Sequence, residues 1–170
     1  MDESVLLSFD LPLVSVVVVC FKDIQITRQC LTHIFRQTYP SVEVIVVDNA
    51  SPENIHEMVS REFPRARVIC LERNSGFAEG HNVGIRAAQG KYIAIINNDA
   101  LAGPDWLAAM VKIAEQNSDI GSVASIITDG NQPDRLDSCG QISQHASRTY
   151  RNSPDDSEIP HHTVSREFVS

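Results

Sequence analysis

Short runs of apolar residues alternate along this chain with stretches in which apolar residues recur at helical spacing. Val14–Cys20 is a continuous, mostly β-branched run, which is typical of a strand buried on both faces of a parallel sheet. Behind it, Ile24, Thr27 and Leu31 fall on one face of a helix that we expect to end before Pro40. The start of the chain therefore predicts a strand followed by a helix.

The same alternation continues as far as residue 127. Further apolar runs predict strands at 42–47, 66–71, 92–96 and 121–127, and helices are predicted to begin at Pro52 behind a Ser51 cap, around Gly80, and at Pro104. Strands joined by helices form right-handed crossovers, which produce a mostly parallel sheet with helices on both faces. We therefore predict a fold of the α/β class.

At 170 residues the chain has room for one ordinary core. Residues 1–127 carry the alternating pattern and are predicted to form it. From residue 128 the sequence turns polar, so residues 128–170 are predicted to be an extension without a core of its own. Long structureless loops are uncommon in compact domains, so this extension is either a surface excursion or a segment that packs on something outside the chain.

Composition indicates which binding partners and which cellular compartment are expected for this chain. The formal net charge is -8 and the 14 Lys and Arg residues are scattered, which argues against binding to nucleic acid. No apolar run approaches the roughly 20 residues that span a bilayer, and the start of the chain lacks the basic segment of a secretory signal. The four cysteines lie far apart without a Cys-x-x-Cys pair, as in reduced proteins. We expect a cytoplasmic protein without a transmembrane segment, and peripheral association with a membrane stays open.

Polar side chains follow two of the predicted strands where each strand ends. Asp48 comes directly after one apolar run, and Asn97, Asn98 and Asp99 follow another. In α/β proteins ligands bind beyond the carboxyl ends of parallel strands, so these oxygen atoms suit a hard divalent cation with a phosphate ligand. The alternative is a turn that redirects the chain, either an Asx turn at Asp48 or a polar turn before Pro104. Taken together, the two clusters favour one shared ligand.

A glycine-spaced polar segment lies between these two strand ends. Gly76, Gly80 and Gly84 recur every four residues, so the backbone can approach a ligand or a neighbouring strand closely. Packing of a helix is the alternative. The spacing matches neither the Gly-x-Gly-x-x-Gly dinucleotide motif nor the phosphate loop of P-loop ATPases. Together with the acidic strand end, the segment predicts a nucleotide-diphosphate site.

Four motifs in this order resemble family 2 glycosyltransferases, in particular their rhamnosyltransferase-like branch. They are Val-Ser-Val-Val-Val-Val-Cys (14–20), Val-Val-Asp-Asn-Ala-Ser (46–51), Asn-Ser-Gly-Phe-Ala-Glu-Gly-His-Asn-Val-Gly (74–84) and Ile-Asn-Asn-Asp (96–99). The resemblance covers about residues 13–127. It implies the GT-A fold, a nucleotide-sugar donor, a divalent cation such as Mg²⁺ or Mn²⁺, and sugar transfer with inversion of the anomeric centre.

The same resemblance implies roles for individual residues. Asp48 would contact the uracil or thymine base of a UDP- or dTDP-sugar, and Asp99, with Asn97, would hold the cation. The remaining donor contacts that it implies are Asn49, Asn74, Gly76, Asn82, Gly84 and Asn98. Where the family's metal motif reads Asp-x-Asp, this chain begins with Asn97, and one carboxylate fewer should weaken cation binding although the amide oxygen remains a ligand.

No motif implies a catalytic base. Family members continue into an acceptor-binding half in which an Asp of a Glu-Asp motif is the base, and no Glu-Asp pair occurs in this sequence. Inverting transfer needs a base within hydrogen-bond reach of the acceptor hydroxyl. The chain therefore resembles the donor-binding half of such an enzyme.

Three hypotheses about function follow. The first is a glycosyltransferase that passes a sugar, for which rhamnose is one candidate, from a UDP- or dTDP-sugar to a saccharide or lipid-linked acceptor in cell-surface polysaccharide synthesis. The second is a truncated, non-catalytic nucleotide-binding domain, which the missing base favours. The third, a sugar-phosphate nucleotidyltransferase, ranks last because Cys-Phe-Lys-Asp-Ile-Gln (20–25), at the end of the first strand, contains no glycine.

Overall fold

The computed structural model describes residues 11–129, 132–138 and 164–165, of which Asp129 and the last two ranges are described by their backbone only. The described elements are, in chain order, β1 (Val14–Cys20), α1 (Ile24–Ile34), β2 (Val42–Asp48), α2 (Ile55–Glu62), β3 (Ala66–Cys70), α3 (Phe77–Ala87), β4 (Tyr92–Asn97), α4 (Trp106–Ala114), β5 (Ser122–Val123), β6 (Ile127–Asp129), β7 (Gln132–Ser138) and β8 (Val164–Ser165). Strands and helices alternate as predicted up to α4.

Strands β1 to β4 form one parallel sheet in the order β3-β2-β1-β4. The chain moves outwards from β1 through β2 to β3 and then returns to the other side of β1 with β4. With right-handed crossovers, this reversal places α1 and α2 on one face and α3 on the opposite face, so the predicted α/β architecture is confirmed. The crevice beyond the strand ends at such a reversal is where open α/β sheets bind ligands.

The central and edge strands of this sheet differ in burial. Val17 of β1 is completely buried, because β1 has a strand on each side and covered faces. β4 lies at the edge of the sheet, where Ala94 and Ile96 are buried while Ile93 and Ile95 are 43% and 49% exposed. An apolar run of this kind is typical of a buried strand, and β4 departs from that pattern on the face that carries Ile93 and Ile95.

Two glycines bring α3 against the sheet. A Cβ on Gly84 would overlap Val17 Cγ1, and one on Gly80 would lie 2.9 Å from Val19 Cγ1. Cβ atoms do not approach other atoms so closely, so the helix reaches this position only with glycine at both sites. Helix packing, the alternative to ligand approach, is thus what Gly80 and Gly84 provide. The helix also begins at Phe77, earlier than predicted.

The predicted start of α2 is wrong. Its N-cap is Asn54, not Ser51. The Ser51 N–H donates instead to Asp48 Oδ1 at 2.8 Å. Glu53 then reaches across to α1, where its carboxylate accepts a hydrogen bond from the Ile24 N–H at 2.7 Å. The chain therefore caps α1 before it begins α2.

The chain forms two compact units, Met1–Asp105 and Trp106–Ser170. This boundary precedes the change in composition at residue 128, because α4 and the short strands behind it belong to the second unit. The strand predicted at 121–127 is replaced there by β5 and β6, which are short and pair antiparallel with β8 and β7 respectively. None of the helices in the described ranges is long and apolar enough to cross a membrane.

Candidate functional site

A cavity of about 380 Å³ opens at the carboxyl edge of the parallel sheet. It lies where the strand order reverses, beyond the ends of β1, β2 and β4 and beside the loop that leads into α3. Its volume is in the ordinary range of small-molecule sites. Its described lining residues are Val19, Cys20, Phe21, Asn49, Asn74, Gly76, Phe77, Asn97, Asn98 and Asp99.

The end of β4 presents two polar side chains to the cavity and anchors a third. Asn97 and Asp99 are exposed and line the cavity. Between them, the Asn98 Nδ2 group donates to the hydroxyl oxygen of Thr27 at 3.1 Å, and Thr27 is fully buried in α1. Asn98, predicted as a donor contact, thus borders the cavity while its amide is bonded to α1. Metal binding by Asn97 and Asp99 and donor binding by Asn98 remain predictions.

Side chains of α1 and of the turn behind it hold the backbone on both sides of Asp99. The carbonyl groups of Asn97, Ala102 and Gly103 accept hydrogen bonds from the side chains of Cys30, His33 and Gln37 at 3.5, 3.1 and 2.7 Å respectively. Cys30 and His33 lie about one turn apart on the same side of α1, and Gln37 lies in the turn that follows the helix. Hydrogen bonds from α1 and the turn behind it therefore hold the backbone segment that carries Asp99.

Asp48 ends β2 and is 7% exposed. One of its carboxylate oxygens accepts the Ser51 N–H at 2.8 Å, three residues on rather than the two of an Asx turn, so the side chain stabilises the turn behind β2 in a different way from the one expected. Asp48 is not among the described residues that line the cavity, whereas the next residue, Asn49, is. Asp99 thus lines the cavity while Asp48 precedes a lining residue, and the expectation that the two aspartates bind one ligand stays a prediction. A contact from Asp48 to a base stays a prediction.

Asn49 ties the end of β2 to the loop 74–76. Its Nδ2 group donates to Asn74 Oδ1 and to the Gly76 carbonyl, both at 3.1 Å. Its Oδ1 accepts from the N–H of Ser75 at 2.9 Å and from the Ser75 hydroxyl at 3.1 Å. Two parts of the sequence that were predicted to meet at the donor are thus bonded directly to each other.

Gly76 begins α3 at the cavity wall. Its φ of 83° and ψ of 177° lie in a region that only glycine adopts without strain. Glycine has no side chain to cap the first N–H groups of the helix. The positive end of the dipole of an 11-residue helix therefore lies beside the cavity, and anions are stabilised at such ends.

Two predicted donor contacts within α3 are not among the described lining residues. Asn82 is exposed, and after Arg86 it is a further hydrogen-bond donor that lowers the pKa of the Glu79 carboxyl. Gly84 is buried against Val17. Any contribution of these two residues to donor binding stays a prediction.

The two titratable groups among the described lining residues are Cys20 and Asp99. Burial, with the charge of Asp48 as the next cause, raises the pKa of the Cys20 thiol to about 12. Burial and then the charge of Asp99 raise the pKa of Cys30, which lies behind the end of β4, also to about 12. Both thiols are protonated and uncharged at neutral pH. Asp99, the sole carboxylate in the described lining, is therefore its sole source of negative charge.

The donor set at the end of β4 fits a cation that shares its ligands with a bound phosphate. In the described part of the chain no three His, Cys, Asp or Glu side chains are grouped to hold a metal. Mg²⁺, however, typically takes one or two carboxylates and fills its other positions with phosphate oxygens and water. The Asp99 carboxylate and the Asn97 amide oxygen provide such a small set at the cavity wall.

Sequence reasoning missed two aromatic rings of the cavity. Phe21 directly follows β1 and Phe77 directly follows Gly76; both line the cavity, and Phe77 is 67% exposed. The ring of Phe77 lies 4.2 Å from that of the buried His81, centroid to centroid. A usable signal existed for Phe21, because the position behind a central strand marks the ligand-binding edge of the sheet.

Comparison with known proteins gives concordant relatives. The model of the family described as Glycosyl transferase family 2 matches residues 15–165. An uncharacterized glycosyltransferase of Haemophilus influenzae is 31% identical over 119 residues, which cover 68% of this chain and 37% of that protein. Glycosyltransferase GlyG of Streptococcus pneumoniae is 31% identical over 112 residues, 64% of this chain and 37% of its own length. The succinoglycan biosynthesis protein ExoO of Rhizobium meliloti is 33% identical over 105 residues, 61% of this chain and 30% of its own length.

Solved structures agree with these relatives. The mannosyltransferase PcManGT from Pyrobaculum calidifontis, in complex with GDP-Man and Mn²⁺, is 28% identical with a TM-score of 0.62 over 71% of this chain and 37% of that one. TarS of S. aureus is 20% identical with a TM-score of 0.57 over 68% of this chain and 42% of its 1–349 portion, a likeness of fold alone. The GT-A fold implied by the sequence motifs is confirmed.

The chain spans little more than a third of the length of the first two relatives, 37% of each. Because the family model matches residues 15–165, this chain belongs to glycosyl transferase family 2.

Proposed function

We propose that this chain provides the donor site of a glycosyltransferase and that its cavity binds a nucleotide-sugar together with a divalent cation. The observation that carries the proposal is the convergence of three separate segments, the ends of β2 and β4 and the loop 74–76, on one cavity at the reversal of the sheet. The likeness to PcManGT, a protein solved with GDP-Man and Mn²⁺, supports both parts of it.

Charge supports the need for a cation. The described lining contains Asp99 and neither Lys nor Arg, although a sugar diphosphate brings several negative charges into the cavity. Asp99 and Asn97 would hold the cation, which when bound supplies neutralisation of the charge that grows on the departing diphosphate. The amino end of α3 at Gly76 supplies the other positive potential that the described lining offers.

The end of β2 is the candidate for base recognition. The N3–H of uracil or thymine is a hydrogen-bond donor that a carboxylate accepts, and Asp48 is the carboxylate at the end of β2. Guanine also presents N–H donors, and the neighbour PcManGT was solved with GDP-Man. The proposal therefore covers UDP-, dTDP- and GDP-sugars, and direct comparison of the three diphosphates decides among them.

The finer features of the reaction extend the proposal. We assign transfer to a saccharide or lipid-linked hydroxyl with inversion, with rhamnose as one candidate sugar. The relative ExoO is a succinoglycan biosynthesis protein, and this likeness supports a place in polysaccharide synthesis. No described residue of the lining is assigned as the base, because Asp99 is its sole carboxylate and is given to the cation.

Titration calorimetry with UDP, dTDP and GDP in the presence of Mn²⁺ tests the site. We expect Asp99→Asn to weaken Mn²⁺-dependent binding ~10-fold, which is about 1.4 kcal/mol. The matched control is Asp105→Asn in the same segment, because Asp105 accepts a hydrogen bond from the Thr38 hydroxyl at 2.8 Å and asparagine retains that acceptor. If Asp99→Asn binds like the parent, the metal assignment is wrong. If no diphosphate binds the parent, the donor proposal is wrong.

Asp48→Asn separates the turn from base recognition. Asparagine keeps an oxygen for the Ser51 N–H, which Asp48 accepts at 2.8 Å, but it replaces the second carboxylate oxygen with an amide donor. We expect an unchanged melting temperature and ~10-fold weaker binding of the diphosphate that the parent prefers. If variant and parent bind this diphosphate equally well, Asp48 stabilises the turn and does not recognise the base.

A non-catalytic nucleotide-binding domain is the second candidate function. It is favoured by the absence of a second carboxylate from the described lining, since inverting transfer needs a base near the acceptor hydroxyl. An assay for free nucleotide diphosphate, released from nucleotide-sugars by this chain with Mn²⁺, separates the two candidates. Turnover above the rate without protein would exclude the second candidate, and tight binding without turnover would favour it.

A further inference from the structure

Asn49 borders the cavity, yet its side chain has no hydrogen-bonding capacity left for a ligand. A primary amide has two N–H donors and an oxygen with two lone pairs. In Asn49 all four are used within the chain, on Asn74, Ser75 and Gly76, and the residue is 3% exposed. A bound nucleotide-sugar would have to break one of these hydrogen bonds to reach the Asn49 amide.

The loop 74–76 depends on this one side chain. Asn74 and Gly76 are exposed, and the Asn74 oxygen that accepts from Asn49 also accepts the Gly76 N–H at 2.9 Å. A displacement of Asn49 would therefore disturb the whole loop. Asn49 itself is fixed, because its backbone N–H donates to the Cys20 carbonyl at 2.8 Å and so continues the pairing of β1 with β2. The Asn49 side-chain amide thus connects the exposed loop 74–76 by hydrogen bonds to a residue that the sheet holds in place.

We propose that Asn49 is a positioning residue, which holds the loop 74–76 in its donor-binding conformation before the donor arrives and makes no donor contact itself. The inference rests on the proposed function, because it concerns the same cavity. A loop that is already in place costs no ordering on binding. If it is released, only the fraction of molecules with the loop in place can bind, and the apparent dissociation constant rises in proportion.

The test compares Asn49→Asp with Asn54→Asp as the matched control. Asn49→Asp keeps acceptor oxygens for Ser75 but removes both donors and places a negative charge beside Asn74 Oδ1, now 3.1 Å from the amide nitrogen. Asn54→Asp adds the same charge at the N-cap of α2, where aspartate caps as well as asparagine. It also removes an amide donor that faces an oxygen, since Asn54 Nδ2 donates to Glu57 Oε2 at 2.7 Å, and Asn54 is not among the described lining residues. Asn49→Ala removes the four bonds without adding charge.

Rate constants distinguish positioning from direct contact. They are measured by stopped flow with Mn²⁺ and whichever of UDP, dTDP and GDP binds the parent. We expect both Asn49 variants to lower the association rate constant ~10-fold and to leave the dissociation rate constant within about twofold, while Asn54→Asp matches the parent. An unchanged association rate constant would overturn the proposal. A loss confined to faster dissociation would also overturn it, because that is the usual signature of a lost contact.

Amide hydrogen exchange in the nucleotide-free protein separates this inference from the proposed function. If Asn49 holds the loop, the amides of Ser75 and Gly76 should exchange ~10-fold faster in Asn49→Ala than in the parent. Melting temperatures of all variants set a measuring temperature at which each is folded. Unchanged protection of these two amides would overturn the inference, whether or not a nucleotide binds. If no diphosphate binds the parent, the proposed function fails, while exchange still decides whether Asn49 positions the loop.

Discussion

Backbone conformation, not lack of space, restricts the choice of residue at position 76. A Cβ on Gly76 would meet no atom within 4 Å, and the same is true of Gly103. Of the two, however, only Gly76 has a positive φ, 83°. We expect Gly76→Ala to lower the free energy of unfolding by about 1–3 kcal/mol, and Gly103→Ala to leave it unchanged or raise it by up to about 1 kcal/mol. Urea denaturation of both variants measures this, and equal losses would contradict a conformational cause.

Side-chain roles were harder to predict than side-chain positions. Asn49 and Asn98, which the sequence singled out as donor contacts, both line the cavity because both directly adjoin strand ends. The sequence did not show that their amides bond to Ser75 and Thr27, which lie 26 and 71 positions away along the chain. An amide can donate equally well to a ligand or to a neighbour. Its role therefore depends on contacts that only the folded chain creates.

At the scale of elements, Gly84 sets the distance between α3 and the sheet. A Cβ there would overlap Val17 and lie 3.2 Å from Val47 Cγ2. We expect Gly84→Ala to destabilise the protein by about 1–3 kcal/mol, even though alanine favours helix by about 1 kcal/mol. Val17→Ala removes the overlapping methyl group, so the double variant should lose at least ~0.5 kcal/mol less than the sum of the single variants. Additive losses in this cycle, measured by urea denaturation, would show that the overlap is relieved elsewhere.

An ion pair between α1 and α2 makes stability depend on pH. Arg28 Nε lies 2.6 Å from Glu62 Oε2. Hydrogen bonds from Arg28 and then Arg61 lower the pKa of Glu62 from 4.5 to about 2. Because the pKa is lower in the folded state, the stabilisation is fully present above pH 4.5 and is lost as the pH falls through about 2.

Glu62→Gln tests this linkage. We expect the variant to melt slightly below the parent at pH 7 in low salt and the difference to shrink as the pH falls towards 2, since exposed pairs are weak and screened by salt. Glu72→Gln is the control, because Glu72 is exposed and forms no ion pair with the described residues. A difference between Glu62→Gln and parent that is as large at pH 2 as at pH 7 would mean that the carboxylate charge is not its cause.

The elements that could be predicted are those whose pattern is local. β1 and α1 were predicted closely because apolar periodicity and β-branched runs lie within each segment. The start of α2 was misplaced because Glu53 caps α1, a contact over 29 positions that no local pattern contains. The half-exposed β4 was missed for a related reason. Whether both faces of a strand are covered depends on the strand order and on where the helices pack, and the sequence alternation leaves both open.

For the whole molecule, charge decides how an anionic donor can be bound. The net charge is -8, and the described lining of the cavity adds one carboxylate and no basic side chain. Long-range attraction therefore does not favour a sugar diphosphate, and the local potential of the α3 amino end is worth only about 0.3–1 kcal/mol. Most of the compensation must come from the cation that Asp99 is proposed to hold.

If the cation compensates charge, we expect it to assist binding of the phosphates and not of the base. On removal of Mn²⁺ with EDTA, the preferred nucleoside diphosphate should bind at least ~10-fold more weakly, whereas the corresponding uncharged nucleoside should bind equally in both conditions. Calorimetry with the two ligands measures this difference. If the nucleoside also loses affinity, the cation organises the cavity itself. If the diphosphate keeps its affinity in EDTA, another positive group compensates it. Lys22, whose Nζ lies 5.1 Å from the ring centre of the cavity residue Phe21, is then the residue to replace with glutamine.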